Sequence, residues 1–320
     1  MLQIKQSNKV RYIRKRHTIL FVIGLINFFL MISLSSCKSS RSNYDVGYDL
    51  SIPSESIQLP GSLREVSGIT LLDSTTVACI QDENGVVFIY DLVSHEIKTT
   101  LNFYDDGDYE GVCSVDTSIF ILRSDGTLFE ISNYKSTSLN VVSYPTEMTH
   151  ANNEGLCYDK ISNRLLIARK NKLGKGKGYK NKRAIYSFDL KTRKWKEDPV
   201  IEFDVDTVKK IALEEKIKLP LRNKKKKRDN EQIPVLRFAS SEIAIHPITG
   251  KIFLLSSQDH LLFVVDIKGN VELVEPLNPL VFKQPEGIAF FKSGDILIAN
   301  EGQRGSSTLL RFNYKPLIRN

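Results

Sequence analysis

Asp108-Tyr-Glu-Gly-Val112 has four near copies in this chain, and their spacing decides the fold. The others are Leu63-Arg-Glu-Val-Ser-Gly-Ile69, Asn152-Asn-Glu-Gly-Leu156, Ser240-Ser-Glu-Ile-Ala244 and Gln284-Pro-Glu-Gly-Ile288. Their glutamates, Glu65, Glu110, Glu154, Glu242 and Glu286, are 45, 44, 88 and 44 residues apart. A unit of about 44 residues is the length of a four-stranded propeller blade.

Each glutamate opens the same programme. An apolar strand begins at once, as in Gly287-Ile-Ala-Phe-Phe291, and a polar turn such as Lys292-Ser-Gly-Asp295 follows. A second strand comes next (Val77-Ala-Cys-Ile80, Ile252-Phe-Leu-Leu255), then a third rich in aromatic and branched residues (Val87-Phe-Ile-Tyr-Asp91, Leu261-Leu-Phe-Val-Val-Asp266). Short strands with these turn signals predict an all-β repeat fold. The 88-residue interval holds one blade and then an insertion: Asp206 to Ile217 has helical spacing at Ile211, Leu213 and Ile217, with Asp206 as a cap, and a lysine-rich run leads to Phe238. Five blades are therefore expected, with six as the alternative. The last blade lacks an outer strand, and Tyr48 to Leu59, with Pro53 at an edge, is the segment expected to supply it.

The start of the chain reads as a targeting segment. Lys5, Lys9, Arg11, Arg14, Lys15 and Arg16 precede an apolar run from Ile19 to Leu34, which stops at Leu34-Ser-Ser-Cys37. This is the order of a signal peptide, with an uncleaved anchor as the alternative. Residues 1–36 are thus expected to be removed, 37–47 to form a tether, and 48–316 to form the propeller, with basic insertions at about 169–183 and 205–237. Cys37 directly after Leu-Ser-Ser resembles the lipobox of bacterial lipoproteins. That resemblance implies lipidation of Cys37 and attachment to a membrane, with the outer membrane expected.

The net charge of +8 does not make this a nucleic-acid-binding protein. Residues 1–36 hold six Lys/Arg and no acid, and Arg169–Arg183 and Arg222–Arg228 together hold fourteen further Lys/Arg. The rest of the mature chain is acidic, so the charge is local. The two basic stretches are either solvated loops or a cationic rim for an anionic partner such as lipid head groups, polyphosphate or an acidic glycan. Cys79, Cys113 and Cys157 cannot all pair and are expected as buried core thiols.

The innermost strand of a propeller blade lines the central channel, so the five glutamates are expected at one mouth of it. Carboxylates converging there repel unless protonated, paired or bound to a cation. Oxygen ligands suit calcium, and the repeat positions hold no histidine for zinc. The other reading is that each glutamate accepts main-chain N–H groups and fixes its turn. Loops after the second strands reach the same mouth, which makes Asp82, Arg123, Gln258 and Asn300 candidates to meet a ligand.

Together, Leu63-Arg-Glu-Val-Ser-Gly-Ile69, Gly107-Asp-Tyr-Glu-Gly-Val112, Asn153-Glu-Gly-Leu156, Ser241-Glu-Ile-Ala-Ile-His-Pro247 and Pro285-Glu-Gly-Ile288 resemble the SdiA-regulated family of bacterial propellers, distant relatives of the NHL-repeat proteins. The resemblance implies five blades and a bound calcium ion, and no established activity. Two function classes follow. A ligand- or protein-binding module at the envelope leads, because no Ser-His-Asp or Cys-His arrangement stands out. A metal-dependent hydrolase of the lactonase or esterase kind, using the channel ion, is the alternative.

Overall fold

A computed structural model describes residues 46–146, 152–174, 176–225, 230–303 and 305–316. The expected signal segment, Cys37, the expected tether up to residue 45 and residues 226–228 of the Lys224–Arg228 run lie outside the described residues. The chain forms a five-bladed β-propeller. Blade one is Val66–Leu71, Thr76–Gln81, Val86–Asp91 and Glu96–Asn102. Blade two is Tyr109–Val115, Ser118–Arg123, Leu128–Ser132 and Asn140–Tyr144. Blade four is Glu242–Ile245, Ile252–Ser256, Leu261–Val265 and Val271–Pro276. Each of these three blades is an antiparallel meander running from the channel outward.

Blade five closes the ring as its missing strand predicts. Its own strands are Pro285–Phe290, Ile296–Asn300 and Thr308–Phe312, and Glu55–Gln58 from the start of the domain pairs with the last of these, Ile57 opposite Leu309. Blade three is irregular at its edge. Asn153–Asp159, Arg164–Arg169 and Lys182–Asp189 are regular, but the outer strand is split into Lys194–Trp195 and Ile201–Asp204 around a loop containing Pro199. Proline cannot donate to a ladder and sits where pairing stops.

Strand alternation explains the near-continuous apolar runs. In Thr76–Gln81, Val77 and Cys79 join the core between blades five and one, while Ala78 and Ile80 join the core between blades one and two. Both faces of each inner strand are buried, so period-2 alternation leaves no polar side. Five such clusters fill the five junctions between blades. Cys79, Cys113 and Cys157 are free thiols buried in them.

The insertion after blade three holds the predicted helix, with corrections. It spans Val205–Glu214, and its cap is Asp204, which accepts the Thr207 N–H at 3.1 Å. Asp206 falls inside the first turn. Val205, Val208 and Ala212 face the core; of the three predicted positions Ile211 packs against it and Ile217, just past the helix, is buried in it, whereas Leu213 is exposed. Beyond it, Leu221–Lys225 and Asn230–Pro234 pair as a hairpin.

Candidate functional site at the channel mouth

Strand register sorts the repeat glutamates into three kinds. In blades one, two, three and five the inner strand bulges by one residue just before a glycine: pairing jumps from Val66 to Gly68, Tyr109 to Gly111, Asn153 to Gly155 and Pro285 to Gly287. The bulged residues are Ser67, Glu110, Glu154 and Glu286. A bulge re-aims its side chain, here at the start of the inner strand. In blade four the equivalent residue is Ser241, because Ser241 Oγ donates to Pro285 O at 2.9 Å as Ser67 Oγ donates to Tyr109 O at 2.8 Å. Matching by residue type therefore aligns Glu65 two positions early and Glu242 one position late. Three glutamates and two serines make the ring.

The glycine after each bulge lets neighbouring inner strands approach. A Cβ on Gly155 would lie 2.8 Å from Ile243 N on the next blade. Glu242 stands at the corresponding place in blade four and points across the blade junction. Its Oε1 accepts the N–H of Leu156 at 2.8 Å and that of Ile243 at 2.9 Å. At 1% exposure it answers the second reading of the glutamates, as an acceptor for main-chain groups. Burial drives its carboxyl well above the usual carboxylate range, so it is held neutral. Glu65 is exposed and faces Asp82 and Glu301 at the rim.

The three bulge glutamates converge on one ammonium. Lys170, the residue after the second strand of blade three, places Nζ 2.7 Å from Glu154 Oε2. The other oxygen of Glu154 accepts from Asn152 Nδ2 at 2.8 Å, and Asn152 O accepts the Lys170 N–H at 2.9 Å. Burial lowers the proton affinity of Lys170, but Glu154, Glu286 and Glu110 more than offset it. Glu286 also accepts from Ser257 Oγ at 3.0 Å. Burial, then the charge of Glu154, pushes Glu110 up to about 9 and Glu286 up to about 7. Burial raises Glu154 as well, against the pull of Lys170.

Of the four loop candidates, Asp82 lies at the rim with Glu65 and Glu301, beside the cluster and not in it. Burial and then Glu65 raise its carboxyl. Arg123 is held by Asp125 at 2.7 Å and lies over the Phe129 ring. Gln258 is exposed and accepts from Arg237 at 2.9 Å, and Asn300 is buried, donating to Val281 O and Thr308 Oγ1. Lys170 is the residue that sequence reasoning passed over, because it is the edge of a basic run. Its position was the available signal: it stands where the other blades carry Asp82, Ser124, Ser257 and Glu301.

Calcium takes six to eight oxygen ligands. Among the described residues no group of three or more His, Cys, Asp or Glu is placed to hold a metal ion, and an ammonium lies among the three ring carboxylates. In this arrangement the residues do not fit calcium.

No family model matches the chain, and no curated protein matches it in sequence. Solved structures similar to it include the glutaminyl cyclase of Myxococcus xanthus, at 13% identity and TM-score 0.52 over 83% of this chain and 97% of that one. Virginiamycin B lyase from Staphylococcus aureus is similar at 12% identity and TM-score 0.42, over 81% and 73%. What they share is the β-propeller. At such identities the likeness is one of fold alone.

Proposed function

We propose that this chain is a binding module held at the cell envelope by a lipid on Cys37, with its ligand site at the channel mouth. The observation that carries the reading is the cluster at the mouth, where buried Glu154 pairs with Lys170 and the half-buried carboxyl groups of Glu110 and Glu286 crowd the same ammonium. The blades pair through main-chain groups and apolar junctions and do not need it, and charge kept at a cost to the fold is a mark of function. The SdiA-regulated family is the grouping that the repeat motifs favour.

The first described residues are tied to the domain at blade five. Gly47 O accepts the Lys315 N–H, and Tyr48 donates its hydroxyl to Gly294 O, in the turn between the first two strands of blade five. That turn is on the face opposite the mouth. A lipid on Cys37 would hold the chain to a membrane, which we take to be the outer membrane. Lys172, Lys177 and Lys180, in the loop that starts at Lys170, would form the rim toward an anionic partner. Calcium enters this reading only in competition with Lys170.

A hydrolase is the second reading, and the observation favouring it is Glu286, whose carboxyl at about 7 suits a general base. Turnover of simple lactones or esters that is lost in Glu286→Gln would establish it. The binding reading is tested by probing arrays of envelope glycans and peptides with the full chain and with Glu154→Gln. A ligand retained by the wild type and lost by the folded variant supports the mouth as the site, and equal retention places binding elsewhere. Labelling with palmitate that disappears in Cys37→Ser tests the anchor.

A further inference from the structure

We propose that the ammonium of Lys170 is the resident cation of the channel mouth, and that calcium binds there only once that ammonium is removed. The inference uses the mouth reading only for its location, and it stands even if no external ligand is found.

A ring of carboxylates around a propeller channel is relieved by protonation or by a positive charge at its centre. The position after each second strand is the one from which a side chain can supply it. Asp82, Ser124, Lys170, Ser257 and Glu301 occupy that position around the ring, and Lys170 is its single cation. The side chain is built in rather than draped over the site. Lys170 N–H to Asn152 O, Asn152 Nδ2 to Glu154 Oε1 and Lys170 Nζ to Glu154 Oε2 close a small cycle of three hydrogen bonds, at 2.9, 2.8 and 2.7 Å. Lys170 is 21% exposed at its side chain and Glu154 3%, so the pair is screened little by solvent.

An ammonium held this way excludes a metal ion by charge and by place. It uses one oxygen of Glu154, while Asn152 uses the other and Ser257 takes one oxygen of Glu286. Without Lys170, the buried carboxyl group of Glu154 and the half-buried ones of Glu110 and Glu286 would be left around a vacated position. Oxygen donors of that kind are what a hard divalent ion takes.

The test is thermal unfolding of the full chain, of Lys170→Met and of Lys170→Arg, each with and without millimolar calcium. Lys172→Met is the control for loss of loop charge. The expected result is no calcium shift in the wild type, a lowered melting temperature in Lys170→Met that calcium restores, and a calorimetric stoichiometry of about one ion per chain in that variant alone. Lys170→Arg keeps a cation in place and is expected to show no calcium response. A calcium shift in the wild type that Glu154→Gln abolishes would overturn the proposal. So would a folded Lys170→Met that binds no calcium, or a calcium response in Lys170→Arg if Lys170→Met does not fold.

Discussion

Glu242 on blade four accepts the main-chain N–H of Leu156 on blade three at 2.8 Å, a side-chain hydrogen bond that joins two inner strands across a blade junction. The N–H of Ile243 shares the same oxygen. Glu242→Gln keeps an acceptor and replaces a carboxyl that is already neutral, so it is expected to leave stability nearly unchanged. Glu242→Ala leaves two buried N–H groups unpaired and opens a cavity, with an expected loss of about 2–4 kcal/mol. Chemical denaturation of the two variants checks the difference.

Glu110 sets the alkaline side of the stability profile. Its carboxyl titrates at about 9 when folded and near 4.5 when unfolded, so the folded state holds the extra proton between those values. Stability is full below the unfolded value and is lost as pH rises toward 9. Glu110→Gln is expected to flatten that decline and to raise the melting temperature at pH 8 by about 2–4 °C, which is what ~1 kcal/mol is worth in a domain of this size. An unchanged profile in the variant would count against a protonated Glu110.

His246 acts on the acidic side. At 1% exposure it packs against Tyr48, Phe253, Phe290 and Tyr314, and its Nδ1 accepts from the N–H groups of Ile248 and Thr249. Burial holds its titration down at about 4, while the unfolded residue protonates near 6.5. The unfolded state therefore takes up the proton first, and stability falls as pH drops from about 6.5 to 4. His246→Asn preserves an acceptor for the turn and is expected to show a shallower acid decline, read from melting curves at pH 7, 6, 5 and 4.

Gly155→Ala tests how closely the inner strands approach. The added methyl would sit 2.8 Å from Ile243 N, which belongs to a rigid main chain, so a loss of about 1–3 kcal/mol is expected. Gly178→Ala, where nothing lies within 4 Å, is expected to be neutral. Urea midpoints of the pair give the comparison.

The fold was legible because its signals are local and repeated. Strands such as Val77 to Ile80 and Ile296 to Ala299 carry apolar residues on both faces, turns such as Lys292 to Asp295 separate them, and the missing outer strand of blade five pointed to Tyr48–Leu59. The site was only half legible. Glu110, Glu154 and Glu286 were found because glycine follows each of them. Glu65 and Glu242 were aligned with them by chemistry, although Ser67 and Ser241 are the true equivalents. A one-residue slip in a strand sends a side chain to another face, and residue identity does not reveal which main-chain groups pair.

The sequence by itself determined the number of blades, the order of strands, the closure and the presence of acidic residues at one mouth, because periodicity and burial act along the chain. Only the tertiary structure decided which acids meet, and what meets them. Lys170 is 16 residues from Glu154 and lies in a basic run, yet its ammonium sits against that carboxylate and close to two others. Electrostatic partnership depends on distance and burial in space, and those are set when the blades close into a ring.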